Sequence, residues 1–395
     1  CKTLEPFGIA GENAAISACG ALIEYLRETQ KHALKIIDSV KFVNENKTMM
    51  LDSGAIRNLE LIKTIGDGKK KGSLLWLLDQ TKTAMGARLM NRLLLNPLRG
   101  KEEIEFRQNG VSELFQATVI RIGIAETLGG IRDIERIAGK ISNNNLTPRD
   151  CESLGASLAV LPNLKFQLSG FTSQIIKNIA DEFGDFSELT ALLKSAFIEN
   201  PPVSIKEGGF IREGFDRELD ELRSVRDNGA KMIAEIEARE RENTGIRNLK
   251  IKYNRVFGYS IEVTNSFKDK VPYNYQRRQT LANAERYTTD ELKDIEEKIL
   301  SGTERSLRLE IELFDRIKQK LADNMASLKK LAGAIAMLDC LTSFASVAKE
   351  RGYCCPQIAE EGGELQISDG RHPVVEALSK ERFVPNDTNL GCKTR

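Results

Sequence analysis

The sequence predicts a mainly α fold: a helical core and two long helices that carry a small β-rich insertion, followed by the first elements of an α/β domain. Three observations carry this. No proline lies between Pro202 and Pro272, nor between Pro272 and Pro356, and both stretches are rich in Glu, Lys, Arg and Leu, which favours long helices. Apolar residues along them recur at steps of three and four. Between them, segment 246–290 changes to an alternating, β-branched and aromatic texture that reads as strands.

Residues 1–200 read as several shorter amphipathic helices. Examples are ACGALIEYLRETQKHALKII and SLLWLLDQTKTAMGARLMNRLLLNPL, the second ended by Asn96-Pro97 and holding Trp76 as an expected core residue. The first long arm repeats Phe215, Leu219, Leu222, Val225, Ile233 and Ile236. The second runs from Leu292 through Ile295, Ile299, Leu307, Ile311, Phe314, Ile317, Leu321, Met325 and Leu328 to Leu341, with one weak turn near Gly302. Unbroken, about 60 residues at ~1.5 Å each would span roughly 90 Å. Two such arms around one insertion imply an antiparallel pair with something at its far end. From Tyr353 onward Pro356, Gly362-Gly363 and GELQISDGRHPVVEAL signal the strands and turns of another domain.

Net charge over all 395 residues is +1, which by itself names no partner. Its distribution is more informative. Segment 246–290 holds nine basic and four acidic residues, a net +5, which leaves −4 for the other 350. It also holds five of the seven tyrosines. Basic side chains there would neutralise phosphates, and Asn, Gln and Thr in RRQTLANAERY would donate hydrogen bonds to backbone oxygens. The candidate contacts are Arg277, Arg278, Gln279, Thr280 and Asn283, with Lys268, Lys270 and Arg247 as electrostatic support. Composition alone suits equally a solvated β-module with a tyrosine core; the position at the end of long arms favours contact with something large. Glu285 and Arg286 are expected to pair with each other or to cap the returning helix.

Other chemistries find little support. Seven scattered cysteines without a C-x-x-C pair, and only His32 and His372 beside them, argue against a zinc site and fit a reducing compartment. His372, before Pro373, is expected to be a packed, turn-forming residue. GDGKKKGS lacks the glycine and lysine order of a phosphate loop, and Gly391-Cys392-Lys393-Thr394 lacks its leading glycine. No run reaches the ~18 uncharged apolar residues of a membrane helix, so no membrane span is expected. A chain beginning at Cys1 is expected to be a fragment or a processed product.

KYNRVFGYSIEVTNSF, followed by VPYNYQRRQTLANAERYTTDELKDIEEKIL, closely resembles the clamp of bacterial MutS DNA mismatch repair proteins. GALIEYLRETQK, MMLDSGAIRNLELIKT, SLLWLLDQTKTAMGARLMNRLLLNPL, GGFIREGFDRELDELR and DGRHPVVEAL…FVPNDTNL extend the resemblance, in family order, along essentially the whole chain. The resemblance implies the end of a connector domain at 1–45, helical core and first lever arm at 46–245, and a DNA clamp at 246–290. It further implies a returning lever helix at 291–352 and the start of a P-loop ATPase domain at 353–395. In such proteins two subunits form a ring whose clamps close on mismatched duplex DNA, and ATP binding then recruits a MutL-type protein. Of the nucleotide site only FVPN matches, placing Phe383 against adenine with Val384 beside it. The Walker A and B motifs are not in this sequence, so no catalytic residue is assigned. ATP and Mg²⁺ belong to the intact parent, and the chain alone is expected to be inactive. Lys252 stands where many relatives carry glycine and Ser260 where an aromatic is common. The location implied is cytoplasmic and nucleoid-associated. A second reading is a structural coiled-coil arm with a basic DNA-contacting hinge, as in chromosome-organising proteins; it leaves the helical first 200 residues unexplained.

Overall fold

A computed structural model describes residues 13–29, 47–254, 258–359 and 363–391. Cys1, His32, Arg255, Cys392, Lys393 and Thr394 lie outside the described residues, as do the side chain of Val225 and most of the expected connector end. In chain order the helices are α1 (Asn13–Thr29), α2 (Ser53–Asn58), α3 (Leu74–Leu78), α4 (Ala84–Leu95), α5 (Lys101–Gln116), α6 (Thr118–Gly129), α7 (Ile134–Ser142), α8 (Pro148–Ala159), α9 (Leu161–Leu168), α10 (Gln174–Asp181), α11 (Ser187–Ala196) and α12 (Arg217–Thr244). Strands β1 (Lys250–Asn254), β2 (Gly258–Thr264), β3 (Gln276–Thr280) and β4 (Ala284–Thr288) follow. The chain continues with α13 (Asp290–Asp323), α14 (Met325–Arg351), β5 (Leu365–Gly370), α15 (Pro373–Leu378) and β6 (Asn386–Leu390). It divides into two compact units, one of residues 1–145, 156–187 and 324–395, the other of residues 146–155 and 188–323.

The first unit is built around α14, against which α4, α5, α6, α7 and α10 pack. Leu328, Leu331, Ile335, Leu338 and Leu341 are wholly buried along it, as the three-four spacing requires. This helix corrects one expectation: by length and composition it is apolar enough to cross a membrane, although 72% of its apolar window is buried within the protein. Asp339 is the one charged residue between Leu331 and Ala348, and it is itself buried. Its carboxylate accepts hydrogen bonds from the backbone N–H of Lys82 (2.9 Å) and Thr83 (2.7 Å) and from Thr83 Oγ1 (2.7 Å). Thr83 in turn caps α4 by accepting from the Gly86 N–H. Gly86 admits this arrangement, since a Cβ there would lie 2.2 Å from Asp339 Oδ2. Trp76 is half-buried rather than central. His372 does form a turn, its Nδ1 accepting from the Val375 N–H at the start of α15, but its ring is exposed rather than packed.

The second unit holds the two arms and the sheet. Asp216 caps α12 by accepting from the Leu219 N–H, and Gly245, at φ +64°, ends it. The arms run antiparallel, as the partners Arg239–Glu291, Gly229–Ile299 and Arg223–Glu310 establish. Gly229 lets them approach: a Cβ there would sit 2.4 Å from Ile299 Cγ1. At 28 residues, α12 is roughly 42 Å long. The second arm is not one continuous helix. Gly302 lies buried inside α13, and the break falls instead at Asn324. Phe314 anchors the end away from the sheet, with Phe197 and Phe210 edge-on to it at 6.0 and 5.7 Å.

Between the arms lies a four-stranded antiparallel sheet in the order β1-β2-β4-β3. Ile261 opposes Ile251 on one side and Tyr287 on the other, so these side chains share a face. That face packs on Ile233, Ile236, Leu292, Ile295 and Ile299 of the arms. Strand character between Lys250 and Thr288 thus follows the alternation of the sequence. Tyr275 and Tyr287 fill the core, with rings 5.9 Å apart.

Candidate nucleic-acid interface

The candidate contacts come from three parts of this sheet. Arg277 and Thr280 lie on edge strand β3, Arg278 stands at a bulge between Arg277 and Gln279, and Asn283 lies in the β3–β4 turn. Lys268 and Lys270 sit on a 3₁₀ segment, Asn265–Lys270, after β2. Arg247 precedes β1, which forms the opposite edge. Arg247, Lys268, Lys270, Arg277, Arg278, Thr280 and Asn283 are all exposed, whereas Gln279 is half-buried.

Two carboxylates organise part of the charge on this sheet. On the face away from the arms Glu262 and Arg286 are register partners. Lys252 Nζ lies 2.8 Å from Glu262 Oε1, Arg286 Nε lies 3.6 Å from Glu262 Oε2, and Arg286 Nη1 donates to Gln279 Oε1 at 2.8 Å. Lys252 first, then Arg286, hold the Glu262 carboxyl below its ordinary range. Gln279 therefore spends its acceptor inside the sheet and keeps its amide N–H groups for an outside partner.

The other centre is Glu285, which is not among the contacts expected from sequence. It opposes Val263 and Thr280 in register, on the face that packs against the arms, and its side chain is 3% exposed. Lys268 Nζ lies 2.7 Å and Arg277 Nη1 3.4 Å from Glu285 Oε1, and the Tyr287 hydroxyl donates to Oε2. Arg277 also donates to Thr280 Oγ1. The Lys268 contact is the largest of the influences that lower the Glu285 carboxyl, ahead of the Tyr287 bond, and together they outweigh burial. Burial and Glu285 push the Tyr287 hydroxyl up to about 12.

These bonds correct the expectation that Glu285 and Arg286 pair with each other. Adjacent strand residues point to opposite faces, so the two belong to different networks. Nor does either cap the returning helix: Thr289 does, accepting from the Leu292 N–H at 3.2 Å. Lys270 holds its ammonium 5.8 Å from the Phe267 ring centroid. Tyr273 is fully exposed and so stands outside the tyrosine core that composition suggests.

The arms position the sheet through Glu296 of α13. Its Oε1 accepts from the Tyr259 N–H at 3.3 Å, directly beside Gly258, whose φ is +70°. The left-handed φ favours glycine here, and a Cβ at Gly258, 1.6 Å from that oxygen, would displace the Glu296 carboxylate from the β2 backbone.

Away from the sheet, Phe383 is half-buried and Val384 is 74% exposed, in the link between α15 and β6. Among the described residues, no group of three or more His, Cys, Asp and Glu side chains is arranged to hold a metal ion.

The family model for MutS domain III matches residues 54–345. The DNA mismatch repair protein MutS of Lachnoclostridium phytofermentans is 43% identical over 389 residues, covering 98% of this chain and 42% of that protein. Those of Chlorobaculum tepidum and Halothermothrix orenii are 43% and 44% identical, covering 99% and 98% of this chain and 45% and 43% of their own lengths. The chain thus spans less than half the length of these curated relatives. The domain match contains both arms and the inserted sheet, and the identity runs along nearly all of the sequence: the chain belongs to the MutS family of DNA mismatch repair proteins.

Proposed function

We propose that this chain grips the phosphate backbone of duplex DNA with its β-sheet tip, as the clamp-and-lever part of a mismatch repair protein. The observation that carries the reading is the set of exposed cations on one small sheet, Lys268, Lys270, Arg277 and Arg278, held at the end of paired helices. The family membership, and the names of the relatives, support it. Ammonium and guanidinium groups of this kind neutralise phosphates whatever the bases. Gln279, Thr280 and Asn283 add uncharged donors, and Arg247 adds charge from beyond the opposite edge.

In the parent protein the reading extends further. Two such chains close as a homodimer on duplex DNA containing a mismatch, ATP and Mg²⁺ act at a separate domain, and a MutL-type protein is recruited. Phe383 then offers its ring to adenine, with Val384 alongside. Cytoplasmic, nucleoid-associated location follows from the same reading, and no membrane partner is proposed. The chain alone is proposed to bind no nucleotide productively and to hydrolyse no ATP, because phosphoryl transfer needs P-loop and Mg²⁺-holding groups that these residues do not supply. The helical unit around α14 favours this reading over a plain coiled-coil arm.

Fluorescence anisotropy of a labelled 30-base-pair duplex tests the proposal. The chain is expected to bind matched and singly mismatched duplexes alike, since nothing in the sheet suggests base reading. Failure to bind either duplex at low salt would overturn it.

A further inference from the structure

Lys268 and Arg277 belong to different segments, yet both turn toward one buried carboxylate. Glu285 Oε1 lies 2.7 Å from Lys268 Nζ and 3.4 Å from Arg277 Nη1. The carboxylate side chain is 3% exposed, while the lysine is 44% and the arginine 58% exposed. The anion is thus sealed beneath its two cations, which keep their remaining N–H groups for solvent. An ammonium has three N–H donors and a guanidinium five, so both retain several outward donors after serving Glu285 and Thr280. Tyr287 holds the carboxylate from below, and Thr280 holds the guanidinium from the side.

We propose that Glu285 is a positioning residue that joins Lys268 and Arg277 into a single seat for one phosphodiester group. The proposal rests on the DNA-gripping reading above and refines it. Its logic is charge arithmetic. Two cations over one buried anion make a unit of net +1, enough to neutralise one phosphate, not two. Removing either cation leaves the other already neutralised by Glu285, so the seat as a whole is lost. Counted as independent contacts, the same two residues would neutralise two phosphates. The two views differ in a measurable way, because each neutralised phosphate of duplex DNA contributes about −0.9 to the slope of log K against log salt.

The test uses the whole 395-residue chain, a 30-base-pair matched duplex and a salt titration. Lys268→Met and Arg277→Met are each expected to flatten the slope by about 0.9, and the double variant by the same ~0.9 in total. In a Glu285→Gln background the two cations become independent, so the double substitution is expected to flatten the slope by about 1.8. A purely structural role for Glu285 would alter the unfolding midpoint but not this dependence on background. In the native background, a double-variant loss of ~1.8, or no change in any of the three variants, overturns the seat. Should the double variant fold poorly in the native background, where it leaves Glu285 buried without a cation, Glu285→Gln alone decides: the seat predicts a slope about 0.9 steeper than that of the unsubstituted chain, and an unchanged slope overturns it. Absence of salt-dependent binding by the unsubstituted chain would instead refute the underlying DNA-gripping reading, so the two failures are distinguishable.

Discussion

Glu310 of α13 and Arg223 of α12 form an ion pair at 2.6 Å, at the end of the arms opposite the sheet. The carboxylate is 2% exposed and also accepts from the Gly209 N–H at 2.7 Å, and the arginine donates to the Ile211 carbonyl at 2.9 Å. The pair therefore ties both arms to the 208–211 loop with every partner inside the fold. A buried ion pair adds little net stability against an apolar replacement, but losing one partner leaves a buried charge uncompensated.

Arg223→Met should accordingly lower the stability of the chain by about 3 kcal/mol, and the double variant Arg223→Met/Glu310→Met should recover much of that. Urea unfolding followed by far-ultraviolet circular dichroism measures both. A loss below about 1 kcal/mol in the single variant would mean that Glu310 keeps its charge satisfied without Arg223.

Asp339→Ala should cost about 2–4 kcal/mol, since it strands the N–H groups of Lys82 and Thr83 and the Thr83 hydroxyl in the core. Asp339→Asn, which keeps an acceptor of the same shape, should cost less. Burial raises the Asp339 carboxyl above its ordinary value despite the bonds from Lys82 and Thr83, so ionising it opposes folding. That opposition sets in as pH rises above the ordinary carboxyl value and is complete above the raised one. The deficit of the alanine variant should therefore shrink as pH rises from 5 to 7. Thermal unfolding at pH 5 and pH 7 checks the order.

Glu113 behaves in the opposite sense. Burial alone would raise its carboxyl, but hydrogen bonds from Ser173 and Thr172 outweigh this and lower it to about 2. A carboxylate with a depressed value stabilises the fold fully above its unfolded value, near 4.5, and loses that contribution as pH falls toward 2. Glu113→Gln should be less stable than the native chain at pH 6 and should lose less on acidification to pH 3. Parallel urea midpoints at the two values would contradict the account if the native and variant curves fell equally.

Gly258→Ala should loosen the sheet and spare α14. Alanine at φ +70° costs about 1–2 kcal/mol in backbone strain, and its Cβ would also displace the Glu296 carboxylate. Amide hydrogen exchange should speed up in β1 and β2, while protection of the α14 turns around Ile335 and Leu338 stays unchanged. Equal loosening of both regions would show that the sheet is not a separate element of stability.

What the sequence reveals of this fold depends on the range of the interaction. The arms and the sheet were readable because three-four spacing and alternation are local properties, visible from Phe215 to Ile236 and from Lys250 to Val263. The break at Asn324 was not, because apolar spacing continues across it from Leu321 to Leu328, and Gly302 was the more obvious weak point. At the candidate interface the cations were readable from composition. Glu285 was missed because its partners, Lys268 and Arg277, lie 17 and 8 residues upstream and meet it only through the β3–β4 register and the β2–β3 link. Neighbour pairing with Arg286 is unavailable in a strand, where adjacent side chains face opposite ways. One signal in the sequence points to this: in AERYT, Glu285 and Tyr287 alternate onto the same face as the core.

Whether the sheet grips phosphates irrespective of sequence is read from the slope of log K against log salt on a matched duplex. If four phosphates are neutralised, the slope should lie near −3.6, at roughly −0.9 for each. Arg278→Ala should flatten it by about one and weaken binding to matched and mismatched duplexes equally. A salt-insensitive affinity, an unchanged slope in Arg278→Ala, or a clear preference of this chain for the mismatched duplex would contradict such a grip.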